Sequence, residues 1–397
     1  MYGGRVTDKF DRRVLTTYLN EYMGDFLFDT FQPFRFFEDE SVCYELPPME
    51  REKLVGKQNM IVPLAVEDFG EFIEKNIKLT NSPSVFGLNP NAEIGYLTNS
   101  TSNLWGDLIS LQIGVSSHSG KGTGEEYIKS ALSIIPEPFD KEEIQSKILQ
   151  RSSKLTPINV VLLQEIDRWN ALVAVMKRSL IDLQKALAGE IGMSEELENL
   201  SNSINIGVVP HLWKLMAPPT RLNLSSWLDY FKERHVQYVD WIKYGEDPVV
   251  IWLSGLHEPV SYITALIQMT CKKYKWPLDR TTITTRVTEY TRASEVKSKP
   301  VDGCYVRGLF LEGAAWDLKN KCLKSQNPKQ LREELPILEI IPTENSKVKI
   351  QNTFNAPVYY TPDRNDGGNK GLVFEANLQT DEHESIWTLQ GVAITMT

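Results

Sequence analysis

The strongest pattern in this sequence is an apolar stripe that follows Thr156-Pro157 and continues for about eight helical turns. Its apolar residues are separated by alternating steps of four and three, which keeps them on one face of an α-helix. Threonine followed by proline is typical of an N-cap and first turn, and Gly189 provides a stop. A stripe this long could bind a partner, but the pattern favours a helix packed inside its own protein or between domains. The stripe consists of Ile158, Leu162, Ile166, Trp169, Val173, Met176, Leu180, Leu183 and Leu187.

Shorter helices are predicted on both sides of the long one, and one of them carries a histidine. In the segment from Ser226 to Lys243, His235 lies at helical spacing with Leu228, Phe231, Val239 and Ile242. A histidine on an apolar face is interpreted as a core residue rather than as a ligand or proton shuttle. The other helices are predicted over 66–79, 104–111, 141–149 and 194–204.

After Asp279 the pattern changes to the alternation of apolar and polar residues that is typical of half-buried strands. Glycine, proline and asparagine separate the apolar segments, so each is short. Five or six strands of this kind suit a small barrel or sandwich. The sequence therefore predicts an α+β fold, with a helical N-terminal and middle part followed by a small antiparallel β-barrel or sandwich. The strands are predicted over 281–290, 304–312, 335–341, 356–360, 371–378 and 387–396.

Composition argues against several classes of protein. The net charge of -9 argues against a nucleic-acid partner and against a polybasic membrane surface. No apolar run reaches the ~18 residues of a membrane span, and the charged start lacks the apolar core of a signal peptide. Cys43, Cys271, Cys304 and Cys322 are far apart with no CxxC, which argues against zinc and favours a reducing compartment. We expect a soluble intracellular protein.

A glycine-rich loop, SSHSGKGTG, is the nearest match to a phosphate-binding loop. A Walker loop needs G-x-x-x-x-G-K followed by serine or threonine. Here Gly114 and Gly120 are one residue too far apart, and Gly122 stands where the hydroxyl belongs. We interpret the segment as a surface loop.

Three other features could carry chemistry, and each has a simpler interpretation. The run from Asp381 to Glu384 is interpreted as a solvated turn, because consecutive side chains do not easily converge on one metal ion. His257, next to Glu258, is interpreted as a helix cap or an exposed residue. Trp316 is interpreted as a core aromatic residue rather than a sugar-stacking platform. No catalytic, cofactor-binding or metal-binding residue is assigned.

The first predicted helix carries apolar residues at helical spacing and a group of arginines. Asp8 can cap it, and Phe10, Val14, Tyr18 and Tyr22 form the stripe. The arginines are interpreted as a solvated face that pairs with Asp8 and Asp11. The alternative is an interface with a neighbouring module. The arginines concerned are Arg5, Arg12 and Arg13.

Motifs in a fixed order resemble the carboxy-terminal region of dynein heavy chains, closest to axonemal heavy chains of the inner-arm type. They begin with YGGRVTDKFDRR, FQPFRFF and SPSVFGLNPNA, and continue with WLSG, SYITALIQ, WPLD and GLFLEGAAW. LPILEIIPTE, QNTFNAPVYYTPDR and WTLQGVAITM complete the order, so the resemblance covers nearly the whole sequence. The residues that carry it, with expected structural roles, are Gly3, Gly4, Arg5, Asp11, Arg12, Arg13, Asp25, Phe34, Phe86, Gly87, Trp252, Gly255, Trp276, Leu278, Asp279, Gly308, Glu312, Gly313, Trp316, Pro357, Tyr359 and Gly391.

The resemblance implies a division into three parts. Residues 1–45 would be the truncated end of the helical small subdomain of the sixth AAA+ module. Residues 46–247 would be the helical part of the C-terminal domain, and 248–397 its strand–helix connection and β-barrel. The sequence is therefore expected to start inside a helical module, with Met1 arising from a partial gene sequence.

The resemblance also implies a role. The parent would be an ATP-driven, minus-end-directed microtubule motor, and this region a structural clamp on its AAA+ ring that is not an enzyme by itself. ATP and magnesium would bind elsewhere in the parent, so no cofactor is expected here. Expected partners are the rest of the ring and, through the parent, intermediate chains, light chains and microtubules, with no nucleic acid or membrane. The expected location is the cytoplasm and cytoskeleton, in the axoneme of a cilium or flagellum.

Two alternatives from other classes stay open at this point. The protein could be a free-standing interaction module that uses the long helix and the β-rich end as docking surfaces. It could also be a hydrolase or transferase with an unrecognised site in the loops of the β-rich end. A deep polar pocket with perturbed acids would favour the enzyme.

Overall fold

A computed structural model describes the fold over most of the sequence. It covers residues 6–23, 34–35, 43–44, 70, 91–112, 128, 132–348, 352–361, 365–366 and 369–396, except for 153 and 221. The helices in these residues are α1 (Lys9–Tyr22), α2 (Asn91–Gln112), α3 (Lys141–Arg151), α4 (Pro157–Leu187), α5 (Glu195–Ile206), α6 (His211–Met216), α7 (Leu224–Tyr244), α8 (Pro259–Tyr274) and α9 (Glu384–Leu389).

The predicted long helix is present as α4, which occupies the centre of the helical part. Thr156 caps it by accepting a hydrogen bond from the backbone N–H of Asn159, and Gly189 follows it with a φ of 79°. Trp169 is fully buried and stacks on Phe231 of α7 at 4.4 Å between ring centroids. Helices α3, α5, α6 and α8 also pack against α4. The stripe therefore faces the protein's own core, and only Leu187 at its end is exposed.

The shorter predicted helices correspond to α3, α5, α7 and part of α2, whereas the helix predicted over 66–79 lies outside the described residues apart from residue 70. The buried face of α7 differs from the predicted one. Arg234 and Tyr238 are buried, while Val239 is exposed and His235 is half-buried between the rings of Phe139 and Trp169. Apolar spacing alone missed this face because a buried arginine and glutamine interrupt it.

The strands are mostly short and lie after α7, apart from one two-stranded pair near the start. They are β1 (Phe34–Arg35), β2 (Cys43–Tyr44), β3 (Val250–Trp252), β4 (Thr281–Val287), β5 (Cys304–Arg307), β6 (Phe310–Glu312), β7 (Ala315–Asp317), β8 (Cys322–Lys324), β9 (Glu333–Glu334), β10 (Leu338–Glu344), β11 (Thr353–Tyr359), β12 (Asn365–Asp366), β13 (Asn369–Lys370), β14 (Leu372–Gln379) and β15 (Ala393–Thr395).

Two larger sheets form the β-rich end. The first has the order β3-β5-β10-β4 and the second β14-β11-β15-β6-β9. The α+β class is confirmed, but the prediction of a small antiparallel barrel is corrected in two respects. β3 pairs with β5, and β11 with β15, in parallel. Among the described strands, backbone pairing does not close the sheets into a barrel. Alternation in the sequence cannot reveal strand direction, and α8 provides part of the connection that a parallel β3–β5 pair needs.

The predicted strand over 387–396 is wrong in its first half. Residues 384–389 form α9, capped by His383, and β15 begins only at Ala393. Trp387 is buried, and its indole N–H donates to the hydroxyl of Thr380 at 2.7 Å. Gly391 ends the helix with a φ of 71°. Residues 381–384 are exposed, which confirms that they are solvated, but Glu384 is the first residue of α9 rather than part of a turn.

The bend between β5 and β6 depends on Gly308, and this leads to a prediction. Gly308 and Gly189 both have left-handed φ values, of 76° and 79°. A methyl group at Gly308 would lie 2.8 Å from the Trp252 ring, whereas one at Gly189 would meet nothing within 4 Å. We therefore expect Gly308→Ala to lower the free energy of unfolding by about 1–3 kcal/mol more than Gly189→Ala. Urea denaturation of both variants measures the difference, and equal losses would contradict the packing argument.

Candidate functional site

The first candidate site is a buried polar cluster around Glu165, which lies within the apolar stripe of α4. Glu165 is 0% exposed. Its carboxylate accepts a hydrogen bond from the Tyr238 hydroxyl at 2.7 Å. It also accepts from the backbone N–H groups of His257 at 2.7 Å and Glu258 at 3.0 Å. One carboxylate therefore connects α4, α7 and the turn that leads into α8.

The same region contains a buried cation and further polar atoms. Arg234 on α7 is 5% exposed, and its Nε and Nη1 atoms have no hydrogen-bond partner among the described residues. The hydroxyl of Tyr360 donates to the backbone carbonyls of Leu256 at 2.8 Å and Ser254 at 3.2 Å. Gln237 pairs with both backbone groups of Trp252. These bonds hold the segment after β3 against the helical part.

The electrostatics of the cluster favour a charged glutamate and a neutral histidine. Burial would raise the pKa of Glu165, but hydrogen bonds from His257 and from the Tyr238 hydroxyl hold it below its usual value. Burial lowers the pKa of His257, and the charge of Arg234 acts in the same direction, against the opposing effect of Glu165. Burial raises the pKa of Tyr238 well above its usual value. Tyr238 therefore stays a donor at neutral pH.

A nucleophilic triad is not assembled in this cluster. Ser254 is buried beside it, but its hydroxyl has no hydrogen-bond partner among the described residues, whereas Nδ1 of His257 lies 3.4 Å from the Glu165 carboxylate. Nucleophilic catalysis needs serine and histidine within hydrogen-bond reach. The interpretation of His257 as a cap or exposed residue was also wrong, because its side chain is 6% exposed and provides no cap to α8. The cluster is a structural connection.

The second candidate site is the contact between α1 and the β-rich end. The guanidinium of Arg13 lies 4.9 Å from the ring centroids of both Phe10 and Phe354. It also donates to the carbonyl of Asn355 at 2.7 Å. Lys9 forms an ion pair with Glu375 at 2.6 Å. Arg13 is therefore not on a solvated face, whereas Arg12 is exposed and donates to the carbonyl of Val6.

A second connection of this kind involves Asn91, at the start of α2. Asn91 is 5% exposed, and its amide nitrogen donates to the carbonyls of Asn327 at 2.8 Å and Gln330 at 3.2 Å. Its amide oxygen accepts from the backbone N–H of Lys329 at 2.8 Å. The turn over 327–330 therefore encloses this side chain. Arg13 on α1 and Asn91 at the start of α2 thus both bind the β-rich end.

The space between α1 and α9 is an open groove of about 400 Å³. It is lined by Arg12, Thr16, His383 and Ser385 among others, with Lys9 and Arg13 at the contact itself. Its lining includes both positive and negative side chains, and α1 packs on α9 beside it. We interpret this groove as the edge of the α1 contact rather than as a separate site.

The residues expected from the resemblance fall into several places. Gly255 and Gly308 both approach the ring of Trp252, and Gly313 lies against the backbone of Gln390 and Val392, on either side of Gly391. Glu312 binds Arg332 at 3.1 Å, and Trp276 stacks on Tyr274. Trp316 on β7 is 5% exposed, which confirms it as a core residue. Phe34 lies on β1, Arg13 lies at the α1 contact, and Pro357 and Tyr359 lie on β11. The residues at exposed positions are Asp11, Arg12, Leu278 and Asp279. The residues that lie outside the described part of the sequence are Gly3, Gly4, Arg5, Asp25, Phe86 and Gly87.

Sequence reasoning missed Glu165, Arg234, Tyr238 and Asn91. A signal existed for Glu165, since a carboxylate stands between Leu162 and Trp169 on the buried face of the long helix. No comparable signal existed for Asn91, whose partners are more than 230 positions away in the sequence. The loop SSHSGKGTG, which the sequence indicates is a surface loop rather than a phosphate-binding loop, lies outside the described residues.

Neither a metal site nor a membrane span is found in the part of the protein that the structure describes. Within it, no three His, Cys, Asp or Glu side chains are placed to hold a metal ion together. Of the helices described, none is both long and apolar enough to cross a bilayer.

Comparisons with known proteins agree on one family. The family model for the C-terminal domain of dynein heavy chains matches residues 98–396, and that for their AAA lid domain matches 1–92. The human dynein axonemal heavy chain 10 is 47% identical over 100% of this sequence. The Chlamydomonas reinhardtii dynein-1-alpha heavy chain of the flagellar inner arm I1 complex is 46% identical over 100%, and the flagellar outer arm dynein beta chain of the same organism 34% over 99%. The present sequence spans 8% of the length of each of these relatives.

The buried histidine predicts a specific pH dependence. Because the pKa of His257 is lowered in the folded protein, the unfolded protein binds more protons once the pH falls below about 6.5. The free energy of unfolding should therefore decrease from pH 7 to pH 5, and His257→Gln should reduce that slope. Urea denaturation across this range measures it, with His211→Gln at an exposed histidine as the control. A slope unchanged by His257→Gln would contradict the assignment.

The α1 contact predicts different results for two neighbouring arginines. Arg13→Ala removes a stacked cation and a hydrogen bond to the β-rich end, whereas Arg12→Ala removes a bond within the N-terminal segment. We expect Arg13→Ala to speed hydrogen exchange of the α1 amides by about tenfold or more, equivalent to about 1.4 kcal/mol. Arg12→Ala should leave exchange nearly unchanged. Equal effects of the two substitutions would contradict the proposed contact.

Proposed function

This protein belongs to the dynein heavy chains, and we propose that it forms the carboxy-terminal region of an axonemal heavy chain and braces its AAA+ ring. The proposed parent is an ATP-driven, minus-end-directed microtubule motor that works in the cytoskeleton of a cilium or flagellum. The names of the relatives, axonemal and flagellar heavy chains that include one of the inner arm, support this location.

The observation that carries the proposal is the contact between α1 and the β-rich end. α1 lies in the range matched by the AAA lid domain, and its partners Phe354, Asn355 and Glu375 lie in the range matched by the C-terminal domain. Asn91 makes a second connection between the two ranges. A lid segment held at two places by a packed domain cannot rotate independently of it. Such a brace acts on the ring only if its contacts differ in free energy between ring states.

We propose that ATP and magnesium bind in other parts of the parent, and that this part contributes no catalytic residue. The proposed direct partner is the rest of the AAA+ ring of the same heavy chain. Microtubules, intermediate chains and light chains are proposed as partners of the parent, while nucleic acids and membranes are not. The charge of -9 supports this last part, because phosphate surfaces attract basic faces.

The proposal is tested by placing Arg13→Ala and Arg12→Ala separately in a complete heavy chain. If the α1 contact transmits ring conformation, Arg13→Ala should change microtubule-stimulated ATPase rate and gliding velocity by about fivefold, the factor produced by a coupling free energy of about 1 kcal/mol. Arg12→Ala is the matched control and should leave both unchanged. If Arg13→Ala loosens α1 by hydrogen exchange but both motor rates stay the same, the brace is wrong and an interaction module is favoured.

A further inference from the structure

An open groove of about 680 Å³ lies where the edges of the two sheets diverge. β4 is the edge strand of the first sheet and β14 that of the second. They are bridged at one pair of residues: the N–H of Asn377 donates to the Thr285 hydroxyl at 2.6 Å, and the N–H of Thr285 to the Asn377 side-chain oxygen at 3.2 Å. Two residues further along each strand, Val287 and Gln379 both line the groove. The seam between the sheets is therefore open at this end.

Strand pairing decides which backbone groups point into the groove. β4 pairs with β10 in antiparallel register, and the N–H of Thr288 donates to the Ile337 carbonyl at 2.9 Å. Because such pairs alternate, the backbone groups of Thr284 and Arg286 face β10, while those of Thr285 and Val287 face the opposite edge. The bond from Thr285 to Asn377 agrees with this orientation. Among the described residues, nothing pairs with the backbone N–H and C=O of Val287.

The same alternation applies to β14. The N–H of Thr380 donates to the Asn352 carbonyl at 2.9 Å. The even-numbered residues of β14 therefore direct their backbone N–H and C=O groups toward β11. The backbone of Gln379 therefore faces the groove from the other side. Within the described residues, unpaired donors and acceptors thus line both sides of one cleft.

Half of the side chains that line the groove are hydroxyl-bearing or aromatic. Thr284, Thr288 and Thr343 lie along it, with Tyr290 and Tyr305 in edge-to-face contact at 6.5 Å between ring centroids. Its charged groups are already compensated.

The compensation comes from two ion pairs. Arg286 binds the carboxylate of Glu339, and Lys321 that of Glu289. A charged side chain of a bound segment could not pair with these groups without breaking an existing ion pair. The lining therefore favours an uncharged, extended segment whose β-branched or aromatic residues pack on threonine and tyrosine.

We propose that this groove binds an extended, uncharged segment of a partner polypeptide, which adds as a strand to the free edge of β4 at Val287. Backbone hydrogen bonds to Val287 provide affinity, and alternate side chains of the added segment contact Tyr290 and Tyr305. An unpaired edge is a ready template for such pairing. This surface shares no lining residue with the α1 contact, although the side chain of Asn377 donates to that of Asn355. Strand addition at Val287 does not depend on the proposed brace.

The test uses all 397 residues of this sequence and a capped, fluorescently labelled peptide of alternating threonine and valine. A second peptide carries N-methyl groups on alternate residues and cannot donate along one edge. We expect the first peptide to bind, to slow hydrogen exchange of the Val287 amide, and to bind at least about tenfold more tightly than the methylated one.

Val287→Pro and Val287→Thr form a matched pair of variants. Proline removes the N–H that faces the groove but none of the bonds to β10, so β4 should remain folded. Threonine keeps the N–H and the branched side chain. We expect binding to weaken by about tenfold or more in Val287→Pro and to stay within about threefold in Val287→Thr. Circular dichroism of both variants checks that the fold is retained.

Three results would overturn the proposal. The Val287 amide could already be protected from exchange in the free protein, which would mean that the edge is paired. Peptide binding could be absent, or equal for the methylated peptide and for Val287→Pro. The protein could instead form a dimer that Val287→Pro abolishes in sedimentation, which would make a second copy the occupant.

Discussion

A carboxylate inside the central apolar helix joins the helical part to the turn before α8. Glu165 lies on the buried face of α4 and accepts hydrogen bonds from Tyr238 and from the backbone of His257 and Glu258. A buried carboxylate that loses such donors costs about 3–5 kcal/mol, a large part of the roughly 5–15 kcal/mol that stabilises a typical domain. The long helix therefore cannot shift relative to α7 or the turn before α8 without a large loss. This constraint fixes where the helical part ends and the β-rich end begins.

The segment held by Glu165 also explains why glycines and aromatics cluster after β3. Trp252 lies so close to Gly255 and Gly308 that a Cβ at these positions would come within 2.6 and 2.8 Å of its ring. Tyr360, which follows β11 of the second sheet, binds the carbonyls of Ser254 and Leu256. Helix α4, the turn before α8 and both sheets thus meet at the short segment between β3 and α8. The α1 contact then connects this packed body to the range matched by the AAA lid domain.

The sequence predicts local features of this fold better than its long-range contacts. The period of α4 and the chemistry of Thr156 and Gly189 are local, so the helix and its ends could be predicted. The parallel pairing of β3 with β5 depends on a crossover through α8, and apolar alternation carries no direction. The helix α9 was mistaken for strand because its short apolar run fits either period.

The candidate sites were the least predictable part. The charged residues around Arg13 in the sequence are consistent with a solvated helix face, yet the partners of Arg13, Phe354 and Asn355, are more than 340 positions away. Glu165 could have been suspected from its place in the stripe, but Tyr238 and His257 could not have been named as its partners. The resemblance identified the family without showing which residues connect its parts. Contacts between distant segments are set by packing, which a single sequence does not display.

We propose that the helical part and the β-rich end form one rigid unit, joined at Glu165 and capable of bracing a ring. Native-state hydrogen exchange at increasing denaturant measures this directly, because it reports the opening free energy of each amide. We expect the buried amides of α4, β10 and β11 to merge into one cooperative opening. Separate opening of α4 and β11, at clearly different free energies, would contradict it.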